Sequence, residues 1–246
     1  MTRIIRYKDS EPSTPPNYAM FFDGDLQRLE LGDPDVIVGA MSITGWFNSS
    51  ILANDGSIVG IADGEGFSPW RVYLNEFNGG LSFWLIDSTG RPNNYISERT
   101  GLNDDEWHHF AIVFNNGATR LSIQIYVDGE LDRLFQGGNG IFEPIGTMPL
   151  VIGMLGPSPG LLPFNGLLDD IVVFDGVVLD ALQVSQIYAG RARINMLPFL
   201  PKYWWKMGDD AIFDGENWIV PDAVGAGDMV SENMDFSNRQ PGVPEL

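Results

Sequence analysis

Between Phe110 and Val127 the apolar positions follow a period of two. Phe110 to Phe114 is an aromatic and β-branched run, and Leu121, Ile123, Ile125 and Val127 alternate with Ser122, Gln124 and Tyr126. Neighbouring side chains of a strand point to opposite faces, so this predicts a β-hairpin whose second strand lays its aliphatic set against another sheet. Asn115, Asn116 and Gly117 tolerate positive φ and supply the link, and Asp128-Gly129 turns the chain again. Further apolar runs, Ser57 to Ala62, Trp70 to Leu74 and Leu81 to Ile86, are punctuated by Asn54-Asp55-Gly56 and Asn78-Gly79-Gly80, a spacing that suits more hairpins. One helix is signalled near 180–189. Asp180 and Gln183 form a capping box, Leu179 and Val184 a staple, Ile187 and Tyr188 continue the apolar face, and Gly190 stops it.

The segment Trp107-His108-His109-x-Ala111-x-x-Phe114, followed by Tyr126-x-Asp128-Gly129, resembles the laminin-G-like, concanavalin A-like jelly roll. Asn17 to Leu31 is similar to that family's opening strand with its Phe-Asp-Gly corner, Met41 to Phe47 to its second strand, and Phe164 to Ala189 to its closing strand and short helix. Four matches in the family's order imply an all-β, two-sheet antiparallel jelly-roll sandwich over residues 17–190, preceded by an extended arm (1–16). An irregular tail (191–246), rich in Pro and aromatic residues, is expected to dock or to mediate assembly. The family binds mainly carbohydrate or protein.

Composition narrows the setting. The 246 residues, 44% hydrophobic, can bury one large core, and Gly 29 with Pro 16 favours many turns over long helices. No run approaches the roughly 18 apolar residues of a membrane span, and the N-terminus lacks the apolar stretch of a signal peptide, so a soluble chain without membrane insertion is expected. With no cysteine there are no disulfides and no thiol chemistry, which fits assembly in a cytoplasm. A net charge of −19 without a basic cluster argues against nucleic acid.

Catalytic patterns are incomplete. Glycoside hydrolases of this fold place two glutamates on one strand, but Glu130-Leu131-Asp132 lacks the second, so no enzyme is expected. His108 and His109 point to opposite faces of a strand, and no third nitrogen or sulfur ligand completes a zinc site. One is expected to sit satisfied in the sandwich, the other against solvent or the opposite sheet surface. Gly137 to Gly140 lacks the Lys-Ser/Thr of a phosphate cradle. Related jelly rolls hold calcium at the sandwich rim, so the resemblance brings in Asp23, Asp25, Asp169 and Asp170 as candidate ligands, with Asp209, Asp210, Asp214 and Glu216 in the tail. Within a strand only one of Asp169 and Asp170 could serve a given site.

For glycan contact, Phe67, Trp70, Trp84 and Tyr95 offer flat faces in the middle strands. Trp84 shares a face with Ser82 and Ile86, opposite Leu81, Phe83 and Leu85, while Trp46 and Trp107 are expected in the core. The tail segment Trp205-x-Met207-Gly208-Asp209 and the later Asn233-Met234 resemble segments that follow laminin-G-like domains in bacteriophage virion proteins. Phe199, Trp204, Trp205, Phe213 and Trp218 are the expected assembly residues, since aromatics of this size should dock on something. The resulting expectation is a non-enzymatic virion protein, such as a capsid decoration or fibre, whose lectin-like sandwich contacts surface glycans. It would assemble in the host cytoplasm with other virion subunits as a homo-oligomer. The alternatives are a free or cell-surface lectin, located outside the cell, and a glycoside hydrolase of the same fold.

Overall fold

The structure is a computed structural model. It describes the chain apart from residues 1–16, 33, 35–38, 52–54, 63–67, 88, 118–119, 138–147, 156–161, 192–193, 226 and 244–246. The N-terminal arm, Phe67, most of the Gly137–Gly140 loop and the side chain of Leu121 therefore lie outside the described residues.

In chain order the strands are β1 (Tyr18–Asp23), β2 (Arg28–Leu31), β3 (Met41–Asn48), β4 (Ser57–Ile61), β5 (Trp70–Leu74), β6 (Leu81–Ile86), β7 (Pro92–Ile96), β8 (Trp107–Gly117), β9 (Arg120–Val127), β10 (Glu130–Gln136), β11 (Leu150–Ile152) and β12 (Asn165–Asp175). Helix α1 (Ala181–Gly190) follows, then β13 (Tyr203–Trp205), β14 (Ile212–Phe213), β15 (Trp218–Val220), β16 (Met229–Glu232) and β17 (Arg239–Pro241). They form two antiparallel sheets. The first runs β10-β9-β8-β3-β12-β1-β17 with β13 also on β12, and the second runs β14-β15-β16-β2-β11-β4-β5-β6-β7.

The alternation read from the sequence sets which side faces in. Ile123, Ile125 and Val127 join Phe110, Ile112 and Phe114 in a core with Trp70, Val72, Leu81, Phe83 and Leu85 of the other sheet. The hairpin is longer than its turn signal suggested. Asn115 pairs with Ser122, Asn116 with Leu121 and Gly117 with Arg120, so the expected turn residues continue the ladder. Helix α1 has its full capping box on Asp180 and Gln183, and Leu179 and Val184 are buried. It stops at Arg191 in the left-handed region (φ 49°) rather than at Gly190. Gly190 is needed for a different reason: a Cβ there would stand 2.6 Å from Ile194 Cβ.

The C-terminal segment docks on its own sandwich as five short strands, where an irregular tail was expected. Tyr203, Trp205, Met207, Trp218, Val220, Met229 and Met234 enter the main core. Trp204 lies on the other side of the first sheet, in a second cluster beneath α1 with Val172, Val184 and Ile187. Trp46 is buried as expected, but outside the inter-sheet core. It packs on that outer face with Val243, Trp107 and Tyr188.

Candidate ligand-binding face

The outer face of the first sheet is closed by α1 and the C-terminal segment, whereas the outer face of the second carries polar and aromatic residues in register. Gly60 of β4, Arg71 of β5, Trp84 of β6 and Asn94 of β7 form one cross-strand row, and Tyr73 and Ser82 pair in the next. The alternation that buries Trp70, Val72 and Leu74 turns Arg71 and Tyr73 outward. The Arg71 guanidinium carbon lies 4.8 Å from the Tyr73 ring centre and 5.2 Å from that of Trp84, a cation–π arrangement with both. Burial lowers the Arg71 pKa, against the opposing influence of Tyr73 and Asp55. Burial likewise raises that of the Tyr73 hydroxyl, helped by Asp55. Ser82 Oγ is fully enclosed beside Tyr73 without a well-formed hydrogen bond, Trp84 is half-buried, and Asn94 is exposed.

Of the four expected glycan residues, Trp84 thus lies on the outer face, partly exposed beside the buried Tyr73 and Ser82. Trp70 is wholly buried and faces the inter-sheet core, and Tyr95 is a half-buried rim residue packed edge-on against Phe135 at 5.0 Å. Arg71 and Tyr73 were not singled out from the sequence. The signal was available in Trp70-Arg71-Val72-Tyr73, where alternation places a cation and an aromatic together on the face opposite Trp70.

The candidate calcium residues fall in two places. Asp23 and Asp25 are exposed, and Asp23 Oδ1 accepts from the Asp25 N–H at 3.0 Å, closing the opening corner. Asp169 and Asp170 are 1% exposed. A bulge sets Asp170 (φ 48°) and Ile171 against Gly45 alone, and this overrides the strand alternation expected for the two acids. Both carboxylates consequently reach the C-terminal segment. Asp169 Oδ2 accepts from Asn17 Nδ2 (3.1 Å) and the Val243 N–H (3.2 Å), and Asp170 Oδ1 from Trp204 Nε1 (2.8 Å). Burial pushes the Asp170 pKa up to about 7 and that of Asp169 well above the ordinary value. In the tail, Asp209 accepts from the Tyr18 N–H, Asp210 pairs with Lys206, and Asp214 accepts from the N–H groups of Glu216 and Asn217. Among the described residues no three acidic or histidine side chains are gathered to hold a metal ion.

The residues weighed for catalysis are engaged elsewhere. Glu130 pairs with Arg99 at 2.6 Å, and Asp132 accepts from the N–H groups of Glu98 and Arg99. His108 sits at the rim with Nδ1 3.0 Å from Asp128 and Nε2 3.1 Å from Asp104. Burial opposes its charge, but the two carboxylates outweigh burial and raise its pKa. His109 faces the outer side of the first sheet, edge-on to Trp46 at 5.1 Å, and is fully enclosed with both ring nitrogens unpartnered. So the satisfied histidine is the rim residue, and the one on the outer sheet surface is buried there without partners. Burial lowers the His109 pKa to about 3, against the pull of Asp128.

The assembly candidates Trp205, Trp218 and Trp204 are 0%, 2% and 5% exposed, enclosed by their own chain, while Phe199 and Phe213 are half-buried. Indole donors fix this arrangement: Trp205 Nε1 donates to the Gly227 carbonyl at 2.9 Å and Trp218 Nε1 to that of Asp235 at 2.7 Å.

The chain superposes on a candidate carbohydrate-binding protein from Bacteroides ovatus with a TM-score of 0.70 at 17% identity, over 93% of this chain and 60% of that one. It also superposes on a SAP-like pentraxin from Limulus polyphemus with a TM-score of 0.57 at 17% identity, over 75% and 88% of the two chains. At such identities the likeness is one of fold. A laminin-G-type sequence profile described as Concanavalin A-like lectin/glucanases superfamily matches residues 23–185. That span is well over half of the chain, and the protein belongs to the concanavalin A-like lectin/glucanase superfamily.

Proposed function

We propose that this protein is a non-catalytic carbohydrate-binding module that holds saccharide on the outer face of its second sheet, around Trp84. The observation that carries this reading is the row Arg71, Trp84 and Asn94. An indole half-open to solvent offers an apolar plane for a sugar ring, and fixed polar groups beside it can meet hydroxyls. The superfamily and the fold shared with the Bacteroides protein support the same class of ligand. Placement on a virion, in several copies, rests on the resemblance of the Trp205-x-Met207-Gly208-Asp209 segment to phage proteins. Display in many copies would turn weak single-site binding into avidity. Purified protein applied to an array of saccharides should retain a defined subset, and an array without a single reproducible hit would contradict the reading. The protein should also be found by mass spectrometry in particles of the phage or prophage that encodes it, and its absence from such particles would leave the lectin role alone.

A further inference from the structure

We infer, building on the carbohydrate reading, that the ligand is an acidic saccharide whose carboxylate pairs with Arg71 while its ring lies against Trp84. Arg71 differs from Arg28, Arg99 and Arg133 in having no acidic partner among the described residues. Arg28 pairs with Glu30 and Glu232, Arg99 with Asp128, Glu130 and Asp132, and Arg133 with Glu98. Among the described residues Arg71 has no carboxylate at ion-pair distance, although the chain carries 33 acidic residues against 14 basic ones. Asp55, whose charge influences it, is engaged by accepting from the Glu76 N–H at 2.8 Å.

A partly desolvated cation without a counter-charge is costly, and an incoming carboxylate would offset that cost. The rings of Tyr73 and Trp84 hold the guanidinium in place before any ligand arrives, and a planar fork matches a carboxylate with two parallel hydrogen bonds. Arg71 Nε is buried without a hydrogen-bond partner, while the Ser82 hydroxyl lies wholly buried against that of Tyr73. The rest of the surface sets the ligand's size. With a net charge of −19 the chain repels a densely charged polyanion, so a short acidic oligosaccharide fits, and a heavily sulfated polymer does not.

Calorimetric titrations with matched probes test this: tri-galacturonic acid against its methyl ester, and sialyllactose against lactose. For at least one pair the acidic member should bind more than about tenfold tighter than its neutral counterpart. That ratio should collapse towards one in Arg71→Gln and be partly kept in Arg71→Lys, which retains charge without the fork. Melting temperatures near that of the unaltered protein show that the variants are folded. Equal affinity within both pairs, or a preference that survives in a folded Arg71→Gln, overturns the assignment of Arg71. If neutral saccharides alone bind, and binding needs Trp84, the carbohydrate reading stands and the acidic ligand does not. If no saccharide binds at all, both fall.

Discussion

Asp170 accepts a 2.8 Å hydrogen bond from the Trp204 indole, and through it the bulge of β12 grips the first strand of the C-terminal segment. The second oxygen of this carboxylate is buried without a partner. Burial and the neighbouring Asp209 raise the pKa, the Trp204 bond and Lys206 oppose them, and the result is about 7.

The stability that Asp170 contributes should therefore fall as pH rises. A carboxyl with its folded pKa above its unfolded one stabilises fully below the unfolded pKa near 3.8, and that contribution is lost as pH climbs through about 7. A change of this size corresponds to a few kcal/mol on an order-of-magnitude basis. Asp170→Asn keeps an acceptor for Trp204 and cannot ionise, so its melting temperature should decline less than that of the unaltered protein between pH 5 and 8. Parallel declines in the two proteins would show that Asp170 is not the group responsible.

His109 works in the opposite direction. Its folded pKa of about 3 lies below the ordinary value, so its contribution is present near neutrality and is lost as pH falls below about 6.5. With both ring nitrogens unpartnered, an apolar ring of similar size should cost little, within about 1.5 kcal/mol. His109→Phe should then be as stable as the parent at pH 7 and more stable at pH 5. A loss above about 3 kcal/mol at pH 7 would mean that the imidazole has partners in solution.

The C-terminal segment should be inseparable from the sandwich. Trp205 stacks on Tyr203 at 5.2 Å and is wholly buried, so Trp205→Ala should cost about 3–5 kcal/mol in chemical denaturation. Deleting residues 198–246 should yield aggregated or unfolded protein, because it strips strands from both sheets. A monomeric truncated protein with an intact cooperative transition would make the segment an accessory.

Much of this architecture was legible because period-two patterns on long strands survive packing. The strands of the 107–127 hairpin, though not its turn, the strands at 70–74 and 81–86 and the capping box of α1 all follow their local signals. The strands after residue 200 are two to four residues long, too short to show a period, and Pro201 and Pro221 read as loop. Trp46 and His109 needed knowledge of what covers the first sheet, since alternation says which side a residue takes and not what lies there. The bulge at Asp169–Asp170 was hidden for a related reason: it depends on the register with Gly45 across the ladder. In the candidate site Trp84 was visible from alternation, but its proximity to Arg71 comes from strand pairing.

No hydrolysis is expected of common β-glucans, galactans or chitin. Glu130 is tied to Arg99, and Asp132 is occupied by two backbone N–H groups, so neither is free to act as nucleophile or acid. Reducing-sugar release that disappears in Glu130→Gln would contradict this.

Trp84 decides the account. Its ring is partly exposed on the outer face of the second sheet and lies outside the inter-sheet core. Isothermal titration with the best array saccharide should show affinity falling at least about tenfold in Trp84→Ala, roughly 1.4 kcal/mol or more, while the melting temperature changes little. Unchanged affinity in a folded Trp84→Ala protein would place the ligand elsewhere and contradict the assignment of this face.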